Sequence, residues 1–209
     1  ADMMGRESEA DQARRAEYWK GIRAELDSVS CERLERNECI NYRIFRTQMD
    51  NYISGFENKS YMIPFNSDWG FYMSWARMPG DTDFENVEDY RNYLSRLHQL
   101  PRLMDEYIAL MRKGIEIGMT QPRVILDGRD EPIKAQLVEN VDESPFYQPF
   151  VDLPESMVSG DKAELLATAR EVVATDVIPA YQRLYDFFQN EYIPGARTSL
   201  GASELPNGE

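Results

Sequence analysis

The stretch FENVEDYRNYLSRLHQLPRLMDEYIALMRKGIEIGMTQP, residues 84–122, decides the fold because apolar residues recur in it at steps of three and four. Such spacing places one apolar stripe along an α-helix. The stripe is clearest in the second half of the stretch, at Leu103, Met104, Tyr107, Ile108, Met111 and Ile115. Gly114 and Gly118 mark its end. Pro101 lies inside the pattern, so it either kinks one long helix or begins a second one.

Helical periodicity also dominates both ends of the chain. A first amphipathic helix carries Trp19, Ile22, Leu26 and Val29, and a stronger second one carries Tyr42, Phe45, Met49, Tyr52, Ile53 and Phe56. Only a few residues connect them, which favours an antiparallel pair. The last helical block begins near Ser159, continues past Pro179 and ends at Pro194 and Gly195.

The segments between these blocks are less regular. Residues 59–83 are rich in aromatic residues and interrupted by proline and glycine, and residues 119–159 suggest only a short helix around Pro132 to Val141. We therefore predict an all-α fold for residues 1–209: an elongated multi-helix assembly with an irregular aromatic-rich loop, forming a single helical region.

The charge and the histidine content exclude several kinds of site. The chain has 37 acidic and 23 basic residues, a net charge of −14, and this disfavours binding to nucleic acid or to anionic lipid. His98 is the single histidine, so a histidine-rich zinc site cannot be built from this chain. The sequence contains no apolar run long enough for a membrane span and no signal segment.

The two cysteines, Cys31 and Cys39, are predicted to be free thiols. If the residues between them are helical, the two α-carbons lie about 12 Å apart. A disulfide requires roughly 7 Å or less, so this bridge would need the helix to break.

Three short patterns suggest catalysis or metal binding, and each has a simpler structural explanation. Ser159 and Lys162 form an S-x-x-K pattern, but Ser159 is expected to cap the helix that follows. Residues 81–85 begin like a calcium loop, yet the later glycine and glutamate positions fail, so we expect acidic residues at a helix N-terminus. Ser203 resembles a nucleophile elbow but lacks the closing glycine and the preceding strand, and a serine hydrolase would have to pair it, or Ser159, with His98.

The aromatic segment 61–75 is the strongest candidate for a binding surface. It contains Tyr61, Phe65, Trp69, Phe71, Tyr72 and Trp75. These rings either anchor the loop on the core or line a groove for an extended ligand, since aromatic side chains combine a large apolar area with a polar tip.

Four segments, in order, carry a resemblance to the bacterial family called domain of unknown function 885. They are residues 84–122 quoted above, SPFYQPF (144–150), IPAYQRLYDFFQNEYIPGAR (178–197) and LPNGE (205–209). The first of them contains a Y-L-x-R-L-x-x-L-P core and a G-x-x-x-P exit that are similar to the family's pattern. The first 80 residues resemble the family only in their helical character.

The resemblance implies part of a larger α-helical, peptidase-like fold. Family members look like zinc-dependent peptidases whose H-E-x-x-x-x-H-H motif lies well downstream of L-P-N-G, and they are often exported. This chain has no such motif. The resemblance therefore implies no cofactor and no catalytic residue in this chain, zinc only in a missing C-terminal portion, and a location in the cell envelope or periplasm.

Two hypotheses about function follow. In the first, the chain is the N-terminal helical region of a metallopeptidase-like protein, and its partners are the C-terminal half and a peptide substrate. The expected substrate-binding residues are Trp69, Tyr72 and Trp75 from the aromatic segment and Leu205, Pro206, Asn207 and Gly208 from the terminal turn. A broad apolar face should then remain uncovered. In the second, the chain is a free-standing acidic binding or scaffold module, either a monomer or a homo-oligomer through its apolar face.

Overall fold

A computed structural model describes residues 2–155, 157–206 and 208. The helices are α1 (Glu9–Asp27), α2 (Arg36–Glu57), α3 (Phe71–Arg77), α4 (Val87–Ile117), α5 (Glu131–Lys134), α6 (Ser159–Val172), α7 (Ile178–Phe187) and α8 (Ile193–Gly195). Extended pairing within the described residues is limited to two isolated β-bridges, Phe65 with Gly70 and Pro122 with Arg197. The predicted all-α class is confirmed. No helix in this described part combines the length and apolar character that a membrane span requires.

Helix α4 forms the centre of the molecule. Its N-terminus is fixed by Asn86, whose side chain accepts hydrogen bonds from the backbone N–H groups of Glu88 and Asp89. Its C-terminus is closed by Gly118 at φ 78°, a backbone conformation that favours glycine. The helix continues through Pro101 for 31 residues. Its apolar stripe packs into one core with α3, α6, α7 and the 144–150 segment.

The C-terminal block is one long helical path in which two π-helical turns occur, at Val173–Val177 and Phe188–Tyr192. Each π turn ends directly before an Ile-Pro pair, at Pro179 and Pro194. Proline lacks an N–H, and its ring collides with the carbonyl group four residues earlier. A wider turn moves this carbonyl group aside, so the helix continues past each proline.

Three polar pairs fix the register of the C-terminal block against α4. They are His98 with Asp176, Asp105 with Arg183, and Arg112 with Glu191, at closest N–O distances of 2.6, 3.0 and 2.6 Å. The residue numbers rise together on both sides, so the two helical paths run parallel. Successive pairs are seven residues apart along α4. Along the C-terminal block they are seven and then eight residues apart, because the second π turn adds a residue. Hydrogen bonds from Arg112 hold the pKa of Glu191 below its usual range.

Four tyrosines with strongly raised pKa values, three of them buried and one half-buried, make the fold sensitive to alkali. Burial raises the pKa of Tyr192 to about 12 and also raises the pKa values of Tyr93, Tyr107 and Tyr181. Their contribution to stability is fully present below the unfolded pKa of about 10 and is lost as pH rises through the folded values. We expect the phenolate absorbance of these four to appear only with loss of the helical circular dichroism. Full titration of all 12 tyrosines in a folded chain would contradict this.

The loop between α1 and α2 corrects the prediction of free thiols. Cys31 and Cys39 form a disulfide with their α-carbons 5.1 Å apart. The helical path assumed between them does not exist, because a short 3-10 turn at Cys31–Arg33 is followed by extended backbone at Leu34. Helix α2 begins only at Arg36. The break brings the two cysteines within bridging distance.

Two local predictions were right only in part, and a third was wrong. The aromatic segment is not irregular throughout, since it contains α3, which follows the extended backbone of Gly70. The short helix predicted around Pro132 to Val141 is present, but it ends at Lys134 and spans only four residues. Ser159 is the first residue of α6, Val158 takes the capping position, and no side chain caps this helix.

Candidate ligand groove

Trp69, Tyr72 and Trp75, the aromatic residues predicted to bind substrate, differ in their exposure to solvent. Tyr72 is only 2% exposed. Its hydroxyl donates to the Arg129 carbonyl at 3.2 Å, and its own carbonyl accepts from the Tyr181 hydroxyl at 2.8 Å. Trp75 is half-buried against the core. Trp69 is 45% exposed, with its indole N–H donating to Ser74 at 3.0 Å. Tyr72 and Trp75 therefore anchor α3, and Trp69 alone of the three presents a ring to solvent.

The terminal turn folds back on the chain before it. Leu205 and Pro206 are half-buried, and the Gly208 N–H donates to the Leu205 carbonyl at 2.9 Å. Any side chain at Gly208 would collide with the carbonyl oxygen of Ala202. Asn207 lies outside the described residues. Within the described residues, no hydrogen bond or ring contact joins this turn to the aromatic segment.

A groove between α1 and α2 collects aromatic side chains that the sequence did not group together. Trp19 stacks on Tyr52 with ring centroids 5.2 Å apart, and Phe56 stacks on Tyr61 at 5.7 Å. The groove has a volume of about 500 Å³, which lies in the usual range for ligand sites. Its remaining lining is Gln12, Arg15, Ala16, Asn51, Gly55 and Ser60.

The polar groups of this groove fall into two sets. Arg15 and Gln12 both bind the carboxylate of Glu7, at 2.6 and 2.9 Å, so their positions are fixed. In contrast, the Asn51 amide and the Tyr52 hydroxyl have no hydrogen-bond partner among the residues that the structure describes. Burial raises the pKa of Tyr61, so its hydroxyl remains a neutral donor. The groove therefore offers ring faces, an uncharged hydroxyl and a free amide to a ligand.

The described residues offer neither a metal site nor a nucleophile with its base. No group of three or more His, Cys, Asp or Glu side chains is placed to hold a metal ion within this part of the chain. The Nδ1 atom of His98 lies 2.6 Å from Asp176. Across the described residues, neither Ser159 nor Ser203 forms a hydrogen bond with this histidine. The serine hydrolase arrangement is therefore not assembled here.

The residues of the groove were visible in the sequence only as parts of separate patterns. Trp19 belongs to the stripe of α1, Tyr52 and Phe56 to the stripe of α2, and Tyr61 to the aromatic segment. Each stripe predicts a side chain that faces a neighbouring helix. The number of large aromatic residues in the two stripes could have predicted the groove, because a two-helix hairpin cannot bury that many rings.

Comparison with known proteins identifies the fold and the family. A solved structure described as "the putative lipoprotein from Colwellia psychrerythraea" is similar, with a TM-score of 0.85 and 18% identity. The match covers 99% of this chain and 37% of that chain, so this chain spans well under half of the solved protein. No curated protein matches the sequence. The family described as "Bacterial protein of unknown function (DUF885)" matches residues 1–209, and the chain belongs to this family.

Proposed function

We propose that residues 1–209 form the N-terminal helical region of a larger, zinc-metallopeptidase-like protein, and that the α1–α2 groove is a wall that binds an extended peptide. The observation that carries this proposal is the groove itself. Its volume is about 500 Å³, and paired aromatic rings lie beside polar groups that have free hydrogen-bonding capacity. The chain supplies the wall and the scaffold, and the metal site lies elsewhere in the larger protein.

An extended peptide fits this chemistry better than other ligand classes. Its backbone presents a donor and an acceptor at each residue, which Asn51 and Tyr52 can pair with. Its side chains and proline rings pack on aromatic faces. A polyanion is disfavoured because Arg15, the cation of the groove, is already paired with Glu7.

In this proposal the residues that bind zinc lie outside residues 1–209. Peptide hydrolysis on zinc needs a set of protein ligands and a base that deprotonates water. His98 is committed to Asp176, and the described residues bring no further ligands to it. We therefore expect no stoichiometric zinc in residues 1–209 and about one equivalent in the product of the complete gene, by elemental analysis. One equivalent in the short chain would overturn this part of the proposal.

Peptide hydrolysis by the product of the complete gene tests the role of the groove. The Tyr52→Ala variant removes a ring that is 55% exposed, and we expect KM to rise on the order of tenfold with a smaller change in kcat. Val124→Ala is the control, because Val124 is also an exposed apolar residue but lies outside the hairpin and does not line the groove. Equal KM values for the two variants would argue against the groove as a peptide wall.

The second candidate function is an acidic helical binding or scaffold module without catalysis. The closed core around α4 supports it, because residues 1–209 bury a large set of apolar side chains without any other chain. Peptide binding by residues 1–209, with no hydrolysis by either the short chain or the complete gene product, would favour this alternative.

A location in the cell envelope is part of the same proposal. The Cys31–Cys39 disulfide supports it, since such bridges persist mainly in oxidising compartments. The solved neighbour is described as a lipoprotein, which points to the same compartment for that protein. Fractionation of the native cells, with the redox state of both cysteines measured by alkylation, tests this location. Fully reduced thiols in a cytoplasmic fraction would contradict it.

A further inference from the structure

One surface of the α1–α2 hairpin carries apolar and basic residues that nothing in the structure covers. On α2, Arg36, Ile40, Arg43, Ile44 and Thr47 follow one another at steps of one, three and four and share one side of the helix, here called the outer face of α2. All five are exposed. Ile40 and Ile44 are 46% and 54% exposed, although each is a large apolar residue.

The hairpin is attached to the rest of the molecule through little buried surface. Helix α1 buries only Asp11 and Ala16, and the 22 residues of α2 bury only Met49. The core around α4 contains none of these residues. A hairpin of this length that buries so few side chains leaves most of its apolar area available to another surface.

The outer face of α2 is basic although the chain as a whole has a net charge of −14. Of the acidic residues of α2, Glu38 lies away from this face, while Asp50 and Glu57 lie at or beyond its edge and pair with Arg23 and Lys20 of α1. Neither Arg36 nor Arg43 forms an ion pair with any residue that the structure describes. A surface that combines isoleucine and arginine and lacks Lys, Glu and Asp has the composition of a protein interface.

We infer that the outer face of α2 binds a part of the larger protein outside residues 1–209, and that this part presents carboxylates around an apolar patch. The inference rests on the proposed function, which makes this chain one portion of a larger protein. The solved neighbour supports a covering portion, because more than half of that protein lies outside the match to this chain. The carboxylates are required by Arg36 and Arg43, which gain charge-assisted hydrogen bonds on docking.

Two other occupants fit the surface less well. A second copy that packed its own outer face here would bring Arg36 and Arg43 against like charges, and the carboxylate at the edge of the face, Asp50, is already paired with Arg23. An anionic membrane would attract the two arginines but repel the remainder of a chain of net charge −14. It would also gain only Ile40 and Ile44 as inserting side chains, which is little apolar area for a helix that lies on a membrane.

Hydrogen exchange of the α2 amides, measured in residues 1–209 and in the product of the complete gene, tests this inference. We expect exchange at least tenfold slower in the complete product. The Arg36→Glu/Arg43→Glu variant should remove this protection, and Ile44→Ser should weaken it without a change of charge. The matched control is Arg77→Glu/Lys134→Glu, which makes the same charge change at two exposed residues away from the hairpin. Circular dichroism of each variant verifies that it is folded.

Several outcomes would overturn the inference. Equal exchange of α2 in both proteins would show that the outer face stays open. Protection of residues 1–209 that grows with protein concentration would assign the face to a second copy. Protection by phosphatidylglycerol vesicles, absent with phosphatidylcholine, would assign it to lipid. Because exchange requires no turnover, a failure of the peptidase proposal leaves this measurement unchanged, and the two proposals fail separately.

Discussion

Replacing Leu97 with alanine is expected to lower the free energy of unfolding by about 2–5 kcal/mol, the usual cost of a leucine-sized cavity in a core. Leu97 is fully buried at the middle of α4. It belongs to the core shared with α3, α6 and α7. Urea unfolding of residues 1–209, followed by circular dichroism, measures the change.

The neighbouring residue supplies the control for this variant. His98 lies on the same turn of α4, but its side chain is exposed and pairs with Asp176 at the surface. An exposed polar pair of this kind contributes roughly 0–1 kcal/mol even when both partners are charged, so His98→Ala should have a much smaller effect. Similar losses from Leu97→Ala and His98→Ala would mean that α4 is not the centre of the core.

The helices could be predicted because their apolar residues keep one period over many turns. The stripe of α4 continues on both sides of Pro101, and the structure shows a single helix there. The sequence left open whether this proline ends the helix. The packing of Leu97 and Leu100 on one side of Pro101, and of Leu103 and Met104 on the other, shows why it does not. Burial of this size outweighs the roughly 3 kcal/mol that an internal proline costs.

The register of the C-terminal block could not be read from periodicity. A heptad pattern predicts equal spacing on both sides of a helix pair, but the π turn before Pro194 inserts one residue. Only the structure shows that Glu191, rather than a residue seven positions after Arg183, faces Arg112. The third of the three polar pairs between α4 and the C-terminal block therefore depends on the inserted residue.

The groove was missed because sequence patterns assign each aromatic residue to its own element. The periodicity predicts that Trp19 and Tyr52 face a core. In the structure both lie at the edge of a hairpin that buries few side chains. Within the aromatic segment the reverse error occurred at Tyr72, which was expected to bind substrate but is a buried anchor. Aromatic content alone therefore locates rings but does not distinguish a packed ring from one that lines a groove.

Removing the Cys31–Cys39 bridge is expected to lower the stability of the α1–α2 hairpin by roughly 2–3 kcal/mol, the loop-closure entropy of a bridge between residues eight apart. The Cys31→Ser/Cys39→Ser variant tests this through hydrogen exchange of the α1 and α2 amides. Dithiothreitol should produce the same increase in exchange in the native chain and no further change in the variant.

The amides of α4 provide the internal reference for this experiment, since their core contains no residue of the hairpin. Faster exchange in α1 and α2 with unchanged exchange in α4 would show that the bridge stabilises the hairpin locally. Equal acceleration throughout would show instead that the hairpin and core unfold together. Insensitivity of α2 to both the variant and the reductant would refute the stabilising role of the bridge. A hairpin that depends on the bridge folds well only where thiols are oxidised, so this measurement bears directly on the proposed location in the cell envelope.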